Sequence, residues 1–144
     1  MRLTVEVPLR ANRFEVWAAL STVGGMNREL SPFVRMTDPT HGARFDAEPW
    51  RVGAPVGWQL LFGVIPIDRH RIELVALPDG RGSSSSWWHR VWRHERALRD
   101  DPGGCVVRDS VEIEPRLRVS DPIVGWAVRW MFRQRHRKLR RRFG

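Results

Sequence analysis

His94, Arg96 and Asp109 are the side chains of this 144-residue chain best placed to do chemistry together. The first two lie in Trp92-Arg93-His94-Glu95-Arg96-Ala97-Leu98, and the third in Cys105-Val106-Val107-Arg108-Asp109-Ser110-Val111. Between them stands Asp100-Asp101-Pro102-Gly103-Gly104, the strongest hairpin signal in the chain. Strand alternation puts Trp88, Arg90, Trp92, His94, Arg96 and Leu98 on one face, and Trp87, His89, Val91, Arg93 and Glu95 on the other. Both faces are mixed, so alternation alone leaves the inward one open. On the returning strand Cys105, Val107, Asp109, Val111 and Ile113 share a mostly apolar face. Pairing across Gly103-Gly104 brings Asp109 near Arg96 or His94. Such a cluster in an apolar cavity would orient a ligand carbonyl or phenol, or act as general acid and base in a cyclisation or dehydration. The same residues also fit an internal ion pair, because a buried aspartate needs a partner and Arg96 offers a bidentate one.

Other chemistries find little support. His89 and His94 fall on opposite faces of a strand, no Cys/His pair has zinc spacing, and no His-Glu-x-x-His occurs, so no metal site is expected. Cys105 lacks a nucleophile motif and reads as a small core residue; as the only cysteine it excludes an internal disulfide. Gly24-Gly25 and Gly103-Gly104 read as turns outside any phosphate-binding pattern, and no cofactor is implied.

The elements that must position these groups follow from periodicity. Leu3, Val5 and Val7 alternate with Thr4 and Glu6 as a half-buried strand that Pro8 ends. Asn12 offers a helix N-cap with Glu15 three residues on. Val16, Trp17 and Leu20 make a helical stripe expected to stop at Gly24-Gly25, with a second short helix over Met26 to Leu30 closed by Ser31-Pro32. Phe33 to Thr37 reads as a short strand and residues 38–55 as loop. Val56, Trp58, Leu60 and Phe62 then share one strand face; His70, Ile72, Leu74 and Ala76 share the next, before a turn at Pro78-Asp79-Gly80. The Ser83 to Ser86 run is a loop or strand entrance, and a long strand follows over about Trp87 to Arg99.

Ten of the 25 Lys and Arg residues lie in residues 116–144 against one acid, Asp121, so a neutral body carries a basic C-terminal segment. That segment reads as one helix over about residues 121–143. Its first half, with Ile123, Val124, Trp126, Ala127, Val128, Trp130 and Met131, is expected to be buried on most sides. In its second half Phe132, His136, Leu139 and Phe143 form a stripe among arginines that suit a solvated, dipole-matched helix end. Contact of this basic end with an anionic membrane surface ranks next. Specific nucleic-acid binding is not expected, because no recognisable module accompanies the charge. Eight Trp and six Phe without Tyr suggest a wide interior or a cavity wall. The longest apolar stretch, Gly57 to Ile67, is too short to span a bilayer. Met1-Arg2 leads straight into the first strand, so no signal peptide and a cytoplasmic location are expected.

Only the last helix is long enough to cover a sheet, which gives a single α+β domain, residues 1–144. About six antiparallel strands curve around the C-terminal helix, with two short helices after the first strand. This order resembles the helix-grip fold of the START-like, or SRPBCC, superfamily of polyketide cyclases, lipid-transfer domains and pollen-allergen-type proteins. Many bacterial members share a Trp-x-His-x-His-x-Phe strand, a Thr-x-Val-x-Asp-x-Val strand and a helix ending Phe-Arg-x-Arg-His-x-x-Leu. The two strands quoted above and Phe132-Arg133-Gln134-Arg135-His136-Arg137-Lys138-Leu139 are similar, with Arg96 for the second His and Leu98 for Phe. The resemblance turns the Trp92/His94/Arg96/Leu98 face toward the helix. It implies an apolar ligand cavity between sheet and helix, for a lipid or a polyketide-like aromatic. The expected wall is Trp58, Leu60, Phe62, Trp88, Trp92, Trp126 and Trp130, with His94, Arg96 and Asp109 as its polar groups. The rivals are an aromatase/cyclase-type enzyme and a peripheral membrane protein that handles lipid.

Overall fold

Alternation over the first residues produces β1 (Arg2–Leu9), with Val7 and Leu9 turned into the core. The computed structural model describes residues 1–37, 56–71, 73–76, 81–84, 89–115 and 121–144. Pro8 does not end β1, because β1 is the outer strand of its sheet and a residue without an N–H is tolerated there. Next come α1 (Arg13–Leu20) and α2 (Val23–Leu30). The Asn12 side chain caps α1 by accepting from the Glu15 N–H at 3.0 Å. The helical break lies at Ser21-Thr22, ahead of the expected Gly24-Gly25. Thr22 Oγ1 caps α2 by accepting from the Gly25 N–H at 2.9 Å, so both glycines are helical. Gly25 is required by packing: a Cβ there would lie 2.1 Å from the Ala19 carbonyl oxygen.

The remaining elements are β2 (Val34–Met36), β3 (Val56–Leu61), β4 (Ile65–Arg71), β5 (Glu73–Ala76), β6 (Arg81–Ser84), β7 (His89–Asp101), β8 (Gly104–Pro115) and α3 (Asp121–Phe143). Among the described residues the strands form two antiparallel sheets where one was expected. Their orders are β1-β8-β7-β6-β5 and β2-β3-β4. Residues 38–55, the Pro78-Asp79-Gly80 turn and the shared face of His70, Ile72, Leu74 and Ala76 lie outside the described residues and side chains. The β7–β8 hairpin turns as expected, with Asp101 opposite Gly104, and its register sets Arg96 opposite Asp109 and His94 opposite Val111. Gly104 has φ +145°, and a Cβ there would meet the Leu9 carbonyl oxygen at 2.2 Å.

The core lies between the larger sheet and the helices. Leu139 and Phe143 of α3 pack with Val7, Leu9, Val16, Leu20, Cys105 and Val107. Further along the helix, Val128 and Phe132 pack with Val111 and Ile113. Each such side chain contributes about 1.5–3 kcal/mol by leaving water. The Phe143 carbonyl accepts from the N–H groups of Arg10 at 2.7 Å and Ala11 at 3.1 Å, which ties the end of α3 to the turn after β1. Among the described residues no helix is long and apolar enough to cross a membrane.

Candidate functional site

Three elements deliver a polar cluster into this apolar core, and a fourth completes it. β8 supplies Asp109, which is fully buried. β7 supplies Arg96 from the directly opposed position and His94 two residues earlier on the same face. Arg96 donates through Nε to Asp109 Oδ1 at 2.8 Å and through one terminal nitrogen to Oδ2 at 3.0 Å. α3 brings His136, whose Nε2 lies 2.7 Å from Asp109 Oδ2, and His94 Nε2 lies 2.8 Å from Oδ1. α2 brings Glu29, which accepts from both terminal nitrogens of Arg96 at 2.9 Å. Arg135 on α3 donates through Nε to Glu29 Oε2 at 2.8 Å.

The cluster is electrically balanced, with two carboxylates against two guanidiniums. Burial pushes the Asp109 carboxyl up, but the Arg96 charge and hydrogen bonds from His136 and His94 hold it well below the usual range. Burial also raises Glu29; Arg135 and Arg96 overcome it and leave the carboxyl lowered. His94 is lowered from the ordinary imidazole value because burial outweighs its bond to Asp109. At neutral pH it is therefore an uncharged ring. Asp109 sits between two histidines, yet its oxygens are occupied by donors. Among the described residues no three His, Cys, Asp or Glu side chains are grouped to hold a metal ion.

Exposure separates the members. The side chains of Glu29, Arg96, Asp109, Arg135 and His136 are between 0% and 7% exposed, whereas His94 is 23% exposed. β7 has β6 on one side and β8 on the other, and His94 shares the face of Arg96. Its opening is thus toward the helix side of the sheet. There the ring stands edge-on to Phe132, 5.4 Å between centroids. Trp92, Val124 and Met131 border the same apolar cluster.

The expected aromatic wall divides. Trp92 stands beside His94 on the inner face, and Trp88 lies outside the described residues. Leu60 is partly buried, Trp58 is 39% exposed, and Phe62 sits 60% exposed in the turn after β3. Trp126 is 67% exposed on the outer side of α3 and stacks on Trp130 at 6.5 Å. Phe33 links these groups, 4.6 Å from the Trp130 ring and 6.3 Å from Phe62. Phe62, Trp130 and Trp126 therefore form a separate aromatic chain that opens to solvent.

Sequence reasoning missed Glu29 and the burial of Arg135. Both carried a signal. Glu29 follows Met26 by three residues on the α2 face that bears Val23 and Leu30, and Arg135 lies midway between Met131 and Leu139 at spacings of four. The basic half of α3 is accordingly only partly a solvated end. Arg133, Arg137, Arg140, Arg141 and Arg142 are exposed, while Arg135, His136, Leu139 and Phe143 are buried. Lys138 donates to the Arg28 carbonyl at 3.1 Å and to that of Ser31, closing the end of α2.

An antiparallel sheet, two short helices after its first strand and one long C-terminal helix packed on the sheet define a helix-grip fold. Solved structures agree. Protein CV1439 from Chromobacterium violaceum is similar with a TM-score of 0.65 at 18% identity, over 96% of this chain and 94% of that one. Ara h 8.0201 gives 0.58 at 11% identity, over 96% and 97%. An AHSA1-like protein from Aeromonas hydrophila gives 0.56 at 17% identity, over 95% and 90%. At these identities the likeness is one of fold. Residues 7–143 match the family described as a domain of unknown function, DUF8410, and the chain belongs to that family. No curated protein matches it.

Proposed function

We propose that this protein binds an apolar or aromatic small molecule between the larger sheet and α3, beside Trp92, with His94 as the polar group at the site. One observation carries this reading. A histidine on the inner face of a strand paired on both edges keeps 23% of its side chain open, which supports an accessible polar group at that face. The helix-grip architecture supports the reading, because it sets a long helix against a sheet with an apolar space between them. Arg96 and Asp109 serve in it as the support that orients His94. Titration with an apolar fluorescent dye or a fatty acid should quench tryptophan emission saturably, and Trp92→Leu should weaken it. Absence of saturable binding by either probe would leave the domain a scaffold.

A second reading, contact with an anionic membrane surface, is favoured by the outer face of α3. Ile123 and Trp126 are 71% and 67% exposed, and Arg133, Arg137 and Arg141 continue the same face toward the C-terminus. Leu139 and Phe143 are packed in the core, so insertion would fall to Ile123 and Trp126 while the arginines act by charge alone. Each such cation contributes on the order of 1 kcal/mol near an anionic surface. Sedimentation with anionic but not neutral vesicles, lost at high salt, is the expected result; equal binding to both lipids, or none, removes this reading.

A further inference from the structure

The charge balance around Asp109 also fixes which kind of polar group the interior accepts, an inference that rests on the small-molecule reading above. Asp109 is an ionised carboxylate and can only accept hydrogen bonds. His94, uncharged, has one ring proton, and the 2.8 Å contact to Oδ1 places it on Nε2. Nδ1 is then a bare lone pair, and no described residue donates to it. His136 is held through Nε2 by the other oxygen of the same carboxylate. Its Nδ1 is a buried atom with no hydrogen-bond partner. Asp109 thus orders the His94 imidazole, with its acceptor nitrogen turned away from the carboxylate.

Most donors of the cluster are engaged within it. Arg96 spends three nitrogens on Asp109 and Glu29. Arg135 gives Nε to Glu29, lies with its guanidinium over the Phe132 ring at 4.9 Å, and is 5% exposed. His94 is the most open side chain of the cluster, 23% against 5% for Arg135, and it opens as an acceptor.

We infer that the ligand of this interior carries a hydrogen-bond donor, a phenol or other hydroxyl, which it gives to Nδ1 of His94. A ligand carbonyl or ether oxygen would meet a second lone pair there and would lose its hydrogen bonds to water without replacement. Of the carbonyl and the phenol that the sequence admitted, the geometry selects the phenol.

Three probes of nearly equal shape test this: 2-naphthol, 2-methoxynaphthalene and 2-acetonaphthone, titrated into the full chain by calorimetry. The naphthol is expected to bind about tenfold more tightly than the ether, the ratio for one hydrogen bond to a buried group. In His94→Phe that preference should vanish. Nitrogen-15 spectra of the wild-type imidazoles need no variant to fold; they should show His94 protonated at Nε2 alone and its Nδ1 shifted by the naphthol. Equal affinity for the three probes, a preference for the ketone, or a protonated Nδ1 at neutral pH overturns the donor inference while leaving the binding reading intact. Failure of all three probes to bind removes the binding reading and this inference with it.

Discussion

The two halves of α3 reverse what their compositions suggest. The first half is almost free of charge, yet Ile123, Trp126 and Ala127 face outward; only Gly125 and Val128 are buried, with Val124, Trp130 and Met131 partly so. The second half is crowded with arginine, yet it holds Phe132, Arg135, His136, Leu139 and Phe143 in the core. The difference lies in what each half meets. The second half faces β1, β8, α1 and α2, where Glu29 meets Arg135, Asp109 meets His136 and Phe143 is tied to the turn after β1. The first half meets the cluster of Val111 and Ile113 along one narrow stripe, and its Trp130 packs on Phe33, which in turn meets Phe62. A buried charge is tolerated when each of its partners is met; an apolar side chain is left outside when nothing is opposite it.

Removal of residues 121–144 should break the comparison most severely, because the sheet would lose both the apolar stripe and two members of the charge cluster. The expected outcome is loss of any cooperative thermal transition, and a sharp transition in the truncated chain would contradict it. Within the intact chain, Phe132→Ala should cost about 3–5 kcal/mol in urea unfolding, since its ring is fully enclosed. Asp109→Ala should cost a similar amount, about 3–5 kcal/mol, by leaving Arg96 with one carboxylate of its two and both histidines without an acceptor. A loss under about 1 kcal/mol would show that the cluster is not closed as described.

Acid should weaken the basic half before the apolar one. The carboxyls of Glu29 and Asp109 are lowered in the folded chain, so the stability they confer is present at neutral pH and lost as pH falls through their folded values. His94 is lowered too, so the unfolded chain takes up its proton first, and stability begins to fall below about pH 6.5. Stability should therefore rise with pH from acid toward neutrality. A midpoint of unfolding unchanged between pH 4 and pH 7 would contradict this. The smallest effect belongs to the outer face: Trp126→Ala should change stability by no more than about 0.5 kcal/mol. A larger loss would mean that the first half of α3 is anchored through that indole.

Much of this arrangement is legible in the sequence. The turn at residues 100–104 sets the parity of both flanking strands, so Asp109 was expected near Arg96 or His94, and the register sets it opposite Arg96. Asn12 and Glu15 announce their helix because a cap is a local interaction. The rest depended on contacts remote in sequence. Glu29 meets Arg96 across 67 residues and Arg135 across 106, and its place on the apolar face of an eight-residue helix names neither partner. The division of the strands into two sheets follows from pairing partners, which alternation does not name. The exposure of Trp126 had no local sign either, since the helical period that buries Val124 and Val128 leaves it outside whatever its hydrophobicity.

The claim that the interior beside His94 takes an apolar molecule is tested most directly by native mass spectrometry of the purified full chain, before and after addition of a fatty acid or naphthol. The account predicts a discrete mass increment of one ligand per chain, either carried through purification and released by solvent extraction or acquired saturably on addition, and reduced in Trp92→Leu. A chain that holds to its sequence mass and acquires neither probe would contradict it.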